Sequence, residues 1–77
     1  MTVKVYTTSV CPYCNFAKDF LRENNVKFEE INVQLDRSAA EEMIKKTGQM
    51  AVPVIEIDGK IIVGFNKEAI KKALKLK

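Results

Sequence analysis

The chain has 77 residues, 47% of them hydrophobic and 30% charged, with a net charge of +3. Residues 1–77 therefore read as one domain near the lower size limit for independent folding. The composition is too apolar for disorder, and no apolar run is long enough to span a membrane.

Residues 2–8, carrying Val3, Val5, Tyr6, Thr7 and Thr8, read as a strand. The opening Met1-Thr2-Val3-Lys4-Val5 is a strand pattern rather than a secretory signal. Next comes Cys11-Pro12-Tyr13-Cys14, the start of a helical pattern over residues 12–24. Pro12 suits the first helical position, where its missing N–H costs nothing. Cys11 is then the N-cap and Cys14 the third helical residue, on a shared face. Their Cα atoms should lie roughly 5–6 Å apart, a separation a disulfide bridges. Free N–H groups and the helix dipole at Cys11 favour a thiolate there, below the free thiol pKa of about 8.5. Cys11 is thus the expected nucleophile, and Cys14, about one turn in, the resolving thiol.

Other uses of the pair are weaker. A structural disulfide would close a very short loop and constrain the unfolded chain little. A zinc or copper site would need ligands from elsewhere, because the chain has no histidine and no third cysteine. Two cysteines committed to one motif fit a reducing compartment, which points to the cytoplasm.

The first helix places Phe16, Ala17, Phe20 and Leu21 on one face and stops near Glu23-Asn24-Asn25. Residues 26–33 read as a second strand whose alternation slips between Phe28 and Ile31, predicting a bulge or kink. Ser38-Ala39-Ala40-Glu41 has the form of a capping box, with Asp36 a rival N-cap. The helix that follows should bury Ala39, Ala40, Met43 and Ile44 and end at Lys45-Lys46-Thr47-Gly48. Val54–Ile57 and Lys60–Val63 read as strands joined by a type I′ turn at Asp58-Gly59. Asn66 caps a last helix with Ala69, Ile70, Ala73 and Leu74 inward.

The order β-α-β-α-β-β-α predicts an α/β fold. It is a four-stranded mixed sheet with three helices on its two faces, and the cysteines lie at the carboxyl end of the first strand. Lys67, Lys71, Lys72, Lys75 and Lys77 carry much of the basic excess. They read as a solvated helix face near a helix C-terminus. No aromatic residues interleave them and no nucleic-acid module is present, so nucleic acid is not an expected partner. A weakly basic domain does attract anionic thiols.

With those residues in view, the chain resembles the glutaredoxins of the thioredoxin superfamily over nearly its whole length. Cys11-Pro12-Tyr13-Cys14 is identical to the dithiol glutaredoxin motif. Met50-Ala51-Val52-Pro53 resembles the family's Thr-Val-Pro segment, which implies a cis Val52–Pro53 bond beside the sulfurs. Val52 would then offer its backbone to an extended substrate, as an added strand does. Val63-Gly64-Phe65-Asn66-Lys67 departs from the family pattern. Gly64 is kept, and N–H groups at Phe65 and Asn66 can hold a γ-glutamyl carboxylate. The family's aspartates are absent there, Lys67 has the opposite sign, and a lysine often found three residues before the first cysteine is Thr8. Gly64-Phe65-Asn66-Lys67-Glu68 instead resembles glutaredoxin-like hydrogen donors of ribonucleotide reductase, which draw electrons from thioredoxin reductase.

The resemblance implies a thioredoxin-like fold and a thiol–disulfide oxidoreductase. It has no permanently bound cofactor and uses glutathione as reductant and co-substrate. Cys11 and Cys14 would be catalytic, and Tyr13, Ala51, Val52, Pro53, Gly64, Phe65 and Asn66 would line the glutathione site. For Tyr13, position alone allows equally a plain exposed aromatic on the first helical turn. Expected partners of the monomer are glutathione and disulfide-bearing or glutathionylated proteins. The alternative is a donor to ribonucleotide reductase reduced by thioredoxin reductase. A metal or iron–sulfur binding protein is the more distant reading.

Overall fold

In the computed structural model, residues 2–49 and 52–75 are described. They run as β1 (Val3–Thr7), α1 (Pro12–Glu23), β2 (Glu29–Asn32), α2 (Arg37–Thr47), β3 (Val54–Ile57), β4 (Lys60–Val63) and α3 (Lys67–Leu74). The strands lie in the order β2-β1-β3-β4. β1 and β2 are parallel, from Lys4 opposite Glu29 to Thr7 opposite Asn32. A parallel pair needs a crossover, and α1 supplies it. β3 runs antiparallel to both β1 and β4. Asp58 and Gly59 link β3 to β4 with φ of 47° and 89°, the two positive values that a type I′ turn requires.

Alternation along the strands sorts the core into two layers. Val3 and Val5 of β1 and Ile55 and Ile57 of β3 face Ala17, Phe20 and Leu21 of α1 and Ile70 and Leu74 of α3. Tyr6 and Val54, one residue out of phase, face Ala39, Ala40 and Met43 of α2 on the other side. The sheet is thus covered on both faces, as the three apolar helix stripes predict.

Several boundaries and faces differ from the sequence reading. β2 covers only Glu29–Asn32, and its register with β1 is unbroken. The expected bulge is absent from that paired stretch. Phe28 precedes the strand and packs against the α1–α3 layer, so its apparent slip in phase belongs to the connection. β1 is one residue shorter at each end than residues 2–8, and α1 ends at Glu23 rather than residue 24, with Asn24 as C-cap. α2 is capped by Asp36, whose side chain accepts from the Ala39 N–H at 3.1 Å. The Ser38 box is not used, because the helix has already begun at Arg37. Ile44 is exposed, not buried. Ala40 and Met43 sit at the centre of the α2 stripe, and Ile44 turns past its edge.

Pairing of Tyr6 with Val54 and of Val54 with Val63 brings three chain ends together. The carboxyl end of β1, the start of β3 and the carboxyl end of β4 lie at one end of the sheet. That end carries the Cys11 loop, the Val52-Pro53 segment and Gly64.

Candidate active site

Cys11 is the N-cap of α1, with φ −106° and ψ 104°, and Pro12 takes the first helical position. The Cys14 backbone N–H donates to Cys11 Sγ at 3.1 Å. The two Cα atoms are 5.3 Å apart and the sulfurs are joined in a disulfide. Cys14 is buried at 1% exposure, whereas Cys11 is half-buried. Capping thus gives the two sulfurs unequal surroundings: one meets solvent and a backbone donor, the other the core.

The flanking residues divide by exposure. Tyr13 is 62% exposed and Phe16 is 53% exposed. Phe16 therefore does not share the core face of Ala17, Phe20 and Leu21 that the helical spacing assigned to it. It lies at the edge of that stripe, where its ring meets Tyr13 edge-on at 5.9 Å and Phe65 at 6.3 Å. Spacing alone cannot separate the edge of an apolar stripe from its centre.

Just before β3, at the same end of the sheet, the Val52–Pro53 bond is cis, as the resemblance implies, and Pro53 is buried. Ala51 lies outside the described residues. Gly64 has φ +85° and donates its N–H to the Pro53 carbonyl at 2.7 Å. That bond ties the turn before α3 to the cis-proline segment. Phe65 is half-buried against the core, and Asn66 caps α3 by accepting from the Ala69 N–H at 3.1 Å. The structure therefore brings Val52, Pro53, Gly64, Phe65 and Asn66 to the same end of the sheet as the cysteine pair.

The glutaredoxin family model matches residues 3–62. The chain belongs to the glutaredoxin family. An uncharacterized glutaredoxin-like 8.6 kDa protein in the rubredoxin operon of Clostridium pasteurianum is 46% identical over 72 residues, covering 94% of this chain and 96% of that one. Glutaredoxin 3 of Escherichia coli strain K12 is 42% identical over 62 residues, covering 80% and 75%. Among solved structures, the T8A mutant of the thioredoxin-like protein BC3987 superposes with a TM-score of 0.93 at 32% identity, covering 99% of this chain and 97% of that one. NrdH-redoxin from Escherichia coli gives 0.85 at 28% identity, covering 94% and 93%. This glutaredoxin is a thiol–disulfide oxidoreductase with a thioredoxin-like fold and a redox-active cysteine pair. Among its described residues no helix is long and apolar enough to cross a membrane.

One feature of this glutaredoxin has no counterpart in the sequence reading. Phe16, Phe20 and Phe65 line a groove between α1 and α3, edged by Asp19, Glu23 and Lys67. Lys67 Nζ lies 5.9 Å from the Phe20 ring centre and 6.0 Å from that of Phe65. The acidic spacing of Asp19 and Glu23, one turn apart, was the available signal.

Proposed function

We propose that Cys11 is the attacking sulfur, Cys14 the resolving one, and glutathione the reductant. The reading rests on the Cys14 N–H directed at Cys11 Sγ at the start of α1, with Cys14 itself buried. A donated N–H and the positive end of the helix dipole stabilise the thiolate over the thiol.

The Cys11 thiolate attacks a substrate disulfide. A Cys11–substrate bond forms as the substrate S–S bond breaks, and the departing thiolate carries the electron pair away. The Cys14 thiol then loses its proton and attacks Cys11 sulfur, expelling the second substrate thiolate and closing the Cys11–Cys14 disulfide. Two glutathione thiols return the pair to the dithiol and leave as glutathione disulfide. With a glutathionylated protein, Cys11 takes the glutathionyl group, and a second glutathione removes it.

Glutathione would lie between Tyr13, the Ala51-Val52-Pro53 backbone and the Gly64-Phe65-Asn66 turn. Val52 offers strand-like backbone pairing, and the start of α3 offers N–H groups to the γ-glutamyl carboxylate. Supporting this reading is the 42% identity with Glutaredoxin 3 of Escherichia coli. The setting would be the cytoplasm, with glutathionylated and disulfide-bearing proteins as partners.

A second reading, reduction by thioredoxin reductase, is favoured by Lys67. Its ammonium lies over Phe20 and Phe65 beside the turn, where it repels a substrate amino group. NrdH-redoxin, described as a glutaredoxin-like protein with a thioredoxin-like activity profile, supports it too. The deciding experiment measures turnover of a small mixed disulfide with NADPH, glutathione and glutathione reductase, then with NADPH and thioredoxin reductase alone. Turnover in the first mixture is expected. Turnover only in the second assigns the chain to the thioredoxin reductase pathway and overturns glutathione as its reductant.

A further inference from the structure

The aromatic row does not stop at the cysteines. From Tyr13 it passes to Phe16 at 5.9 Å and on to Phe65 at 6.3 Å, and Phe65 meets Phe20 edge-on at 6.2 Å. It leads into the groove between α1 and α3. A small disulfide held at Cys11 does not reach that far. Asp19 lies eight positions beyond Cys11 along the helix, about 12 Å of rise, and Glu23 twelve positions beyond it, about 18 Å.

The groove's charges are unevenly committed. On the α3 side, Lys67 already lies over the faces of Phe20 and Phe65, where an incoming cation would otherwise stack. On the α1 side, Glu23 and Asp19 stand one turn apart. Asp19 pairs at 3.4 Å with Arg22, an exposed contact, and Arg22 also leans over the Phe28 ring. Among the described residues Glu23 forms no ion pair within 4.0 Å. An apolar floor with two carboxylates on its α1 edge and Lys67 on its α3 edge fits an extended polypeptide that lies along α1 and brings a cation to Glu23, away from the Lys67 ammonium.

We propose that this groove is a docking surface for disulfide-bearing polypeptides with arginine or lysine near the reacting cysteine. At about 3.3 Å per extended residue, 12–18 Å corresponds to about four to five positions from that cysteine. The inference rests on Cys11 as the attacking sulfur, and it names the substrate class that this sulfur would meet.

The protein's overall charge makes the test sharp. A net charge of +3 alone would favour an acidic peptide, whereas the groove favours a basic one. Two extended peptides, each with one cysteine in mixed disulfide with 2-mercaptoethanol, carry arginine or glutamate four positions to either side. Single-turnover release of the peptide thiol is followed with pre-reduced protein at low salt, beside 2-hydroxyethyl disulfide as the small substrate. The arginine peptide is expected to react about fivefold faster, the scale of exposed ion pairs, and to lose its lead in high salt. In the Asp19→Lys, Glu23→Lys double variant the ratio of the two rates should fall to one or invert. Equal rates in the native protein, or an arginine preference that survives the double variant, overturns the groove while the small disulfide still reacts. Failure of all three substrates overturns the Cys11 reading beneath it.

Discussion

The N–H of Gly64 donates to the carbonyl of Pro53 at 2.7 Å, so the turn that opens α3 is fastened to the cis-proline segment. Gly64 makes this bond with φ +85°, and a Cβ built there meets nothing within 4 Å. Substitution by alanine would therefore cost backbone strain without a clash, about 1–2 kcal/mol. Gly64→Ala is expected to lower the unfolding free energy by that amount, read as a lower urea midpoint with an unchanged slope. A midpoint equal to that of the native protein would remove the conformational argument.

Loss of the α2 cap gives a second measurable cost. Asp36 accepts from the Ala39 N–H at 3.1 Å, and removing such a cap costs about 1 kcal/mol. Asp36→Ala should destabilise by that amount in chemical unfolding, while Ser38→Ala, inside the first turn, should change stability by less than about 0.5 kcal/mol. The reverse order would restore the Ser38 box as the working cap.

These two residues also show what was legible in the sequence. Asp36 and Ser38 both satisfy N-cap chemistry, and local pattern cannot rank two caps two residues apart. The choice is made by where Ala39, Ala40 and Met43 meet Tyr6 and Val54. The Asp58-Gly59 turn, the Asn66 cap and the Cys11 cap were legible because their causes are local: positive φ values and orphan N–H groups. Ile44, Phe16 and Phe28 depart from their sequence pattern because stripe edges and strand starts depend on what packs opposite. The groove between α1 and α3 joins Phe16 to Phe65, 49 positions apart in the chain, and only the fold brings them together.

Acid sensitivity should carry a trace of Glu30. Its carboxylate accepts from Lys18 Nζ at 2.9 Å and from the buried Thr7 hydroxyl at 3.1 Å. The Lys18 ammonium holds Glu30 below the usual carboxylate range, opposed by desolvation and helped by Thr7. A depressed folded value means that the unfolded chain binds the proton more readily. The contribution to stability is full above the ordinary value of 4.5 and is lost as the pH falls through the folded value. Because the Glu30 side chain is 41% exposed, screening keeps that contribution within about 1 kcal/mol. Urea midpoints at pH 7 and pH 3 should therefore differ less in Glu30→Gln than in the native protein. An equal drop would show that this ion pair does not contribute.

The unequal surroundings of the two sulfurs predict unequal variants. Cys11 is half-buried and accepts the Cys14 N–H, whereas Cys14 is 1% exposed. If Cys11 alone meets substrate, Cys11→Ser removes exchange with every disulfide, because serine supplies no thiolate to attack. Cys14→Ser leaves the attacking sulfur and its backbone donor in place. It should keep reduction of glutathione mixed disulfides, where free glutathione resolves the intermediate. Protein disulfides, which need the second thiol to release the substrate, should slow by roughly tenfold or more. Mass spectrometry of the Cys14→Ser reaction should find the protein bound to substrate through Cys11. Retained exchange in Cys11→Ser, or a covalent adduct at Cys14 in that variant, would reverse the two roles.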